Sequence, residues 1–358
     1  VSGGSLLTLY LGLELLSLAL YSLVAMQRDT LQAAEAAIKY FILGAIASGM
    51  LLYGMSFLYG LTGTLELNSL AAGMQKPSVP EAVALIALVF VLAGIGFKFA
   101  LVPFHMWVPD VYQGAATPAT LFIASVPKLA AFALIIRLLV EALPSLSGHW
   151  QAMLLLLAVL SIALGNLVAI VQQNFKRLLG YSAISHVGFL LLGVAAASPE
   201  GYASALFYTF IYVTTTLAVF GVILLLSRAG FEAEQLEDLR GLARYQPWYA
   251  LLLLILMFSL AGVPPMIGFH AKLAVLAAII AQGYWWVAVV AVLFSVAGLY
   301  YALRVVWLMY FEAPATEAAV PITAAWDMQW VLSINALLIL ALGFYPAGLM
   351  TYCVHLLN

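Results

Sequence analysis

Charged residues are scarce in this sequence. Only 8% of its 358 residues are Asp, Glu, Lys or Arg, against about a quarter in a typical soluble domain, and 66% are hydrophobic. Such a chain is solvated mainly by lipid. The 13 Lys and Arg residues are few and scattered, and the formal net charge is -2. No basic patch forms, which excludes a nucleic-acid partner.

Cysteine is nearly absent, since Cys353 is the only one. An intrachain disulfide and a cysteine-ligated metal cluster are therefore excluded. The sequence also lacks a CxxCH haem motif, a GxGxxG dinucleotide fingerprint and a Walker A phosphate loop. We expect no cofactor in this chain, so any ion transport must take its energy from a partner or an ion gradient.

Long apolar runs, in contrast, fill the chain. A bilayer core about 30 Å thick needs roughly 20 apolar residues per helix, and ten segments meet that length. Their runs are continuously apolar, without the alternation of membrane strands, so the fold class is all-α and polytopic, with ten transmembrane helices. The predicted spans are approximately 3–26, 33–60, 81–104, 118–141, 150–172, 175–197, 202–228, 247–281, 285–311 and 327–352.

The connections between the predicted spans alternate between the two sides of the membrane, and those on one side carry most of the Lys and Arg residues. The connections on the opposite side contain little more than Lys76. By the positive-inside rule the Arg-rich side is cytoplasmic, so both ends of the chain face outward. The connection 229–246 on the cytoplasmic side reads as a solvated linker without chemistry. Val1 is not an initiator Met and no signal peptide follows it, so we expect an N-terminally incomplete chain. The cytoplasmic charges are Arg28, Lys176, Arg177, Arg228, Arg240 and Arg244.

Two spans carry helix-breaking residues. Pro103 follows the glycines of 94–98, and 262–269 contains Pro264 and Pro265. Paired interrupted helices are typical of transporter repeats with inverted topology, and the breaks lie five spans apart. This predicts a first repeat in 1–141 that lacks its first helix, a second repeat in 142–311 and a C-terminal helix in 312–358. Alternatively, these residues merely kink the helices.

Five charged side chains lie deep within the predicted spans, away from their ends. A charge at mid-membrane costs roughly 2.5 to 3.5 kcal/mol and is usually functional. The five are Glu14, Lys39, Lys98, Lys128 and Lys272.

These residues can form a proton relay. A carboxylate keeps a proton on a nearby buried lysine, and its withdrawal releases that proton. We predict that Glu14 pairs with Lys98, and that protons pass from Lys98 through Lys128 toward Lys272, with His105 and His186 as intermediates. The alternatives are a structural buried pair, or a Lys39 that reaches the surface beside Glu35. The histidines could equally cap a broken helix or bond a neighbouring one.

At these residues the sequence resembles the antiporter-like membrane subunits of respiratory complex I, a family shared with Mrp-type sodium/proton antiporters. The N-type branch is favoured by 110–115, by Pro127 before Lys128, by Lys272, and by the lack of a long lateral helix after the core. The segments that carry the family resemblance are 11–15, 35–41, 96–110, 174–188 and 260–265.

The resemblance implies a core of fourteen helices in two inverted repeats, of which this chain would hold the last ten. It implies that Glu14 and Lys98 form a coupling pair and that Lys128 and Lys272 continue a hydrophilic axis. NADH, FMN, iron–sulfur clusters and quinone would belong to partner subunits. The neighbours would be the M-, K- and J-type subunits and the lateral helix of the L-type subunit, in a bacterial inner membrane. The rival functions are an Mrp-type cation/proton antiporter and a scaffold subunit.

Overall fold

The computed structural model describes residues 3–27, 30–77, 79–227, 231–314 and 325–357. Over these ranges the chain folds into fifteen α-helices, α1 to α15, and it forms no sheet. Among the described residues, nine helical stretches are long and apolar enough to cross a membrane. The all-α, multi-pass membrane fold is therefore confirmed. Arg28 and Arg228, on which the prediction of sidedness partly rests, lie outside the described residues.

The first half of the chain begins with two long helices whose starts are capped by side chains. Ser5 accepts a hydrogen bond from the Thr8 N–H, and Thr30 accepts one from the Ala33 N–H. A π-helical segment, Ile136–Glu141, extends the last helix of this half. The helices are α1 (Leu6–Val24), α2 (Leu31–Thr62), α3 (Leu67–Met74), α4 (Glu81–Phe99), α5 (Trp107–Gly114) and α6 (Thr117–Ile135).

The second half contains nine helices. Among them α8 is almost completely buried, because α5, α7, α9 and α12 pack around it. The helices are α7 (Ser147–Ala169), α8 (Phe175–Ala195), α9 (Pro199–Leu226), α10 (Leu242–Tyr245), α11 (Pro247–Ala261), α12 (Ile267–Ala281), α13 (Trp285–Phe311), α14 (Trp326–Phe344) and α15 (Ala347–Leu357).

Both predicted helix breaks are present. Helix α4 ends at Phe99, Ala100 has a positive φ of 69°, and the chain becomes helical again only at α5. Helix α11 ends before Gly262, whose φ is 80°, and α12 begins five residues after this glycine, at Ile267. A Cβ atom on Gly262 would lie 2.8 Å from the Lys272 Cδ, so this position needs glycine for its conformation and for its space.

The two halves also share a feature outside the breaks. Ser5 forms an isolated antiparallel bridge with Glu66, and Asn174 forms one with Gln235. Each bridge joins the N-cap of one helix to the loop after the next long helix. These shared features are compatible with a division into 1–141 and 142–311, which stays a prediction.

Two predictions of local structure were wrong. The tenth span, predicted over 327–352, is two helices, because Pro346 cannot continue α14 and helical structure resumes only at Ala347, the first residue of α15. The connection 229–246, where it is described, is not a solvated linker. It contains the 3-10 helix Leu236–Leu239 and α10, and burial raises the pKa of the Asp238 carboxyl above its ordinary value.

Small residues allow the closest helix packing. A Cβ atom on Gly165 of α7 would lie 2.6 Å from the Ser185 nitrogen and 2.7 Å from the Tyr181 oxygen on α8. Because both are backbone atoms, the helices would have to separate. A Cβ atom on Gly148, near the start of the same helix, would have no described atom within 4 Å apart from its chain neighbours and the nearby backbone of its own helix.

We therefore expect Gly165→Ala to destabilise the protein and Gly148→Ala to leave it unchanged or slightly more stable. Overpacking costs about 1–3 kcal/mol, which for a chain of 358 residues corresponds to a loss of roughly 1–4 °C in Tm. Thermal unfolding of the purified protein in detergent measures the difference. Equal Tm values for the two variants would contradict the close contact between α7 and α8.

Candidate functional site

Glu14 on α1 and Lys98 on α4 lie close together beside α2. Their nearest charged atoms, Glu14 Oε1 and Lys98 Nζ, are 3.9 Å apart. Hydroxyl groups complete the arrangement: Ser48 donates to the Glu14 carboxylate, and Lys98 donates to Ser17 Oγ at 2.5 Å. Ser17 in turn donates to the Leu13 carbonyl at 2.7 Å. The ammonium therefore has both a carboxylate and a neutral hydroxyl within reach.

Lys128 on α6 is fully buried, and it binds the C-terminal end of the first broken helix. Its Nζ donates to the main-chain carbonyls of Lys98 and Phe99, each at 3.3 Å, and lies 5.6 Å from the centre of the Trp107 ring. The last carbonyls of a helix lack partners and carry partial negative charge. The break in α4 therefore creates a binding site for an ammonium group in the protein interior.

Lys272 makes the same kind of contact at the second break. Its Nζ donates to the Ala261 carbonyl at 2.8 Å and to Ser295 Oγ at 2.9 Å, and lies 5.2 Å from the centre of the Phe189 ring. A cavity of about 320 Å³ adjoins the ammonium, walled mainly by apolar side chains of α12 and α13. At both breaks, therefore, a lysine binds the free carbonyls at the C-terminal end of the interrupted helix. Lys128 comes from a separate helix, whereas Lys272 lies on α12, the helix that follows the break itself.

The two predicted histidines lie in different surroundings. His186 on α8 is buried, and its Nδ1 is 2.7 Å from the Tyr208 hydroxyl on α9. Its ring centre is 5.4 Å from that of Tyr212. His105 lies in the loop between α4 and α5, half-buried, and its Nδ1 has no hydrogen-bond partner within the described ranges. The structure brings His186 into the tyrosine-rich centre of the bundle and leaves His105 at the edge of a break.

Lys39 belongs to a separate ionic cluster. Its Nζ is 2.6 Å from Glu35 and 2.8 Å from Asp110, and Asp110 is also 2.6 Å from Arg177. The Lys39 side chain is 43% exposed, as a surface-reaching lysine should be. Asp110 therefore joins α2, α5 and α8, a role that the sequence analysis missed because it considered only i,i+4 partners for this lysine.

A second ion pair that the sequence analysis missed lies beside it. The Lys176 side chain, only 1% exposed, is 2.9 Å from Glu232 and 3.5 Å from Glu234 in the connection after α9. It also donates to the Ala115 carbonyl at 2.9 Å. Burial of a charged lysine costs much free energy unless the ammonium has ion-pair and hydrogen-bond partners of this kind. Glu232 and Glu234 therefore hold the connection after α9 against the start of α8.

The fold and this site define a class of membrane proteins, in which interrupted helices bury lysines at their broken ends. The model of the NADH:quinone oxidoreductase/Mrp antiporter transmembrane family matches residues 3–298. The chain belongs to this family, and within it to the group of NADH-quinone oxidoreductase subunit N proteins.

The relatives cover nearly the whole chain. It is 55% identical over 356 residues to the NADH-quinone oxidoreductase subunit N of Acidithiobacillus ferrooxidans, covering 99% of this chain and 74% of that protein. Among solved structures, respiratory complex I from Thermus thermophilus with bound aureothin matches with a TM-score of 0.84 and 37% identity, over 98% of this chain and 75% of that one. The Mrp complex from Dietzia sp. shares the fold, with a TM-score of 0.86 at 24% identity over 98% of this chain and 73% of that one.

The Asp110 cluster gives a prediction about stability. Asp110→Asn leaves Lys39 and Arg177 without their shared carboxylate, which should cost about 1–3 kcal/mol in the free energy of unfolding. Glu35→Gln removes only an exposed i,i+4 pair, worth about 0.3–0.5 kcal/mol. Denaturation of the purified variants in detergent measures both values. If Glu35→Gln proves as damaging as Asp110→Asn, the junction does not hold the three helices together.

Proposed function

We propose that this chain is a proton-translocating membrane subunit of an NADH:quinone oxidoreductase. The observation that carries the proposal is the series of ammonium groups at the broken helices, buried at Lys128 and partly buried at Lys98 and Lys272, which bind carboxylate, hydroxyl and main-chain oxygens. The relatives named as subunit N support the same reading. Protons pass along these lysines with Glu14 and His186 as further members, and Lys39 and His105 serve as accessory groups at the edges.

The contacts at Lys98 explain how one proton can be held or released. The Glu14 carboxylate, 3.9 Å away, favours the charged ammonium, whereas Ser17 can hydrogen-bond either form of the amine. A shift of Glu14 away from Lys98 therefore favours loss of the proton. Lys128 binds the carbonyl of Lys98 itself, so the two amines share one helix end. A proton on one amine disfavours a second charge on the other, so the protonation states of the two lysines are coupled.

The energy for this transport comes from outside the chain. As part of a multi-subunit redox enzyme, it works beside partners that carry NADH, FMN, iron–sulfur clusters and quinone, and it holds no redox centre itself. Its neighbours are M-, K- and J-type membrane subunits and the lateral helix of an L-type subunit. The location is a bacterial inner membrane. We assign 1–141 and 142–311 to two inverted repeats and 312–358 to a C-terminal membrane segment.

A cation/proton antiporter is the alternative, because the family whose model matches this chain also includes Mrp antiporters. A sodium ion needs several oxygen ligands, and carboxylates are the usual anionic ones in proteins. Within the described residues, Glu14 is the one carboxylate that forms an ion pair with Lys98, Lys128 or Lys272, and no cluster of three or more His, Cys, Asp or Glu residues occurs. The lysine contacts therefore support proton transfer better than sodium binding.

Substitution of the buried lysine and its carboxylate tests the proposal. Lys98→Met and Glu14→Gln keep the side-chain volume and should lower NADH-driven proton uptake by at least about ten-fold, because a positioned acid–base group contributes about 10²–10⁴ in rate. Proton uptake into inside-out vesicles that contain the assembled complex measures this. Lys76→Met, in an exposed loop, is the matched control.

The rival functions predict other results. A scaffold subunit predicts normal pumping in both variants once assembly is intact. An antiporter predicts sodium-dependent proton flux in the unmodified protein without NADH. Either outcome would count against the proposed function.

A further inference from the structure

The region between Lys128 and His186 contains two buried tyrosines that the lysine series does not include. Tyr112 on α5 is completely buried, and Tyr212 on α9 is 5% exposed. We propose that the Tyr212 hydroxyl is a relay group that carries protons between the Lys128 end of the series and His186, with one water molecule on each of two sides. This inference rests on the proposed proton translocation and adds Tyr212 to the residues that proton transfer requires.

Aromatic contacts connect Lys128 to Tyr112. The Lys128 ammonium lies over the Trp107 ring, and the Trp107 and Tyr112 rings are edge to face with centres 6.5 Å apart. The Tyr112 hydroxyl has no hydrogen-bond partner of ordinary geometry among the described residues, although the Tyr212 hydroxyl is close enough to interact with it. A buried hydroxyl left unpaired costs about 1–3 kcal/mol. The unpaired state of the Tyr112 hydroxyl is explained if this group exchanges hydrogen-bond partners as protons pass.

On its other side Tyr212 adjoins a small cavity next to His186. The cavity has a volume of about 10 Å³, and its polar lining comes from His186, Tyr208, Tyr212, Thr215 and Ser259. The Ser259 hydroxyl is buried and lacks a hydrogen-bond partner in the part of the chain that the structure describes. A volume of roughly 10–15 Å³ with two to four polar partners is what one buried water requires. The cavity therefore has room for a single water molecule, bound by Ser259 and by the polar groups of His186, Tyr208 or Tyr212.

A second cavity of about 10 Å³ also adjoins Tyr212. Its polar lining comes from Ser182, Tyr212 and Thr216, and Leu260 contributes to both cavities. The Ser182 hydroxyl is 2.9 Å from the Tyr301 hydroxyl, which continues the polar contacts toward α13. Tyr212 is the polar residue common to both cavities. Its side chain therefore borders both cavities, and its hydroxyl is the group to which the proposal assigns proton transfer between them.

The chemistry of a phenol suits this position. A tyrosine hydroxyl donates one hydrogen bond and accepts others, so it can receive a proton from a water on one side as it gives its own to a water on the other. The residue returns to its neutral form and no net charge stays in the membrane interior, where a charge is costly. Phenylalanine has the same ring and packing but cannot take part in this transfer.

Tyr212→Phe therefore separates the relay from the packing. We expect NADH-driven proton uptake by the assembled complex in inside-out vesicles to fall on the order of ten-fold. The matched control is Tyr202→Phe on the same helix, half-buried and outside both cavities, which should pump normally. Ser259→Ala removes the unpaired hydroxyl of the first cavity and should lower uptake in the same direction. Normal pumping by Tyr212→Phe would overturn the inference.

Lys128→Met, measured beside it, distinguishes this failure from a failure of the proposed function. If Lys128→Met stops pumping and Tyr212→Phe does not, only the relay through Tyr212 is wrong. If both pump normally, the lysine series itself is wrong. Should Tyr212→Phe fail to assemble, a high-resolution cryo-EM map of the unmodified complex decides. Water density in both cavities supports the inference, and two empty cavities overturn it.

Discussion

The functional arrangement depends on one interaction, the binding of buried lysine ammonium groups by the free carbonyls of broken helices. An intact helix satisfies its own carbonyls, so the interruptions after Phe99 and Ala261 are what make oxygen ligands available at membrane depth. Lys128 and Lys272 occupy these ends. Because neutral carbonyls hold an ammonium less firmly than a carboxylate does, each amine is stabilised and yet able to lose its proton.

Rigid surroundings keep the lysines at these positions. Helix α8 is enclosed by its neighbours, and close glycine contacts hold α7 against it. On one side, Asp110 joins α2, α5 and α8, and Lys176 fastens the connection after α9 through Glu232. These full ion pairs contrast with the looser contact of Glu14 and Lys98, whose charged atoms are 3.9 Å apart with hydroxyls beside them. The ion pairs of Asp110 and Lys176 stabilise the fold, whereas the distance between Glu14 and Lys98 is free to change during proton transfer.

Much of this could be read from the amino-acid sequence, because the membrane imposes simple rules. Span length and helix-breaking residues predicted the helices and both interruptions, and the cost of buried charge selected Glu14, Lys98, Lys128 and Lys272. The roles of Asp110 and Glu232 were missed, since their partners lie on distant helices and no short-range spacing reports them. Tyr212 was missed for another reason: a tyrosine in a membrane helix is common, and only its neighbours and cavities distinguish it.

The central claim is that these amines change charge as the protein works, and their protonation can be observed directly. Solid-state NMR of complex labelled with ¹⁵N at the lysine Nζ, with Lys128→Met to assign the signal, compares the resting enzyme with the enzyme during NADH turnover. The account predicts that the Lys128 signal exchanges between the ammonium and the amine form during turnover. A Lys128 that stays fully in one form throughout, in a complex that is pumping, would contradict it.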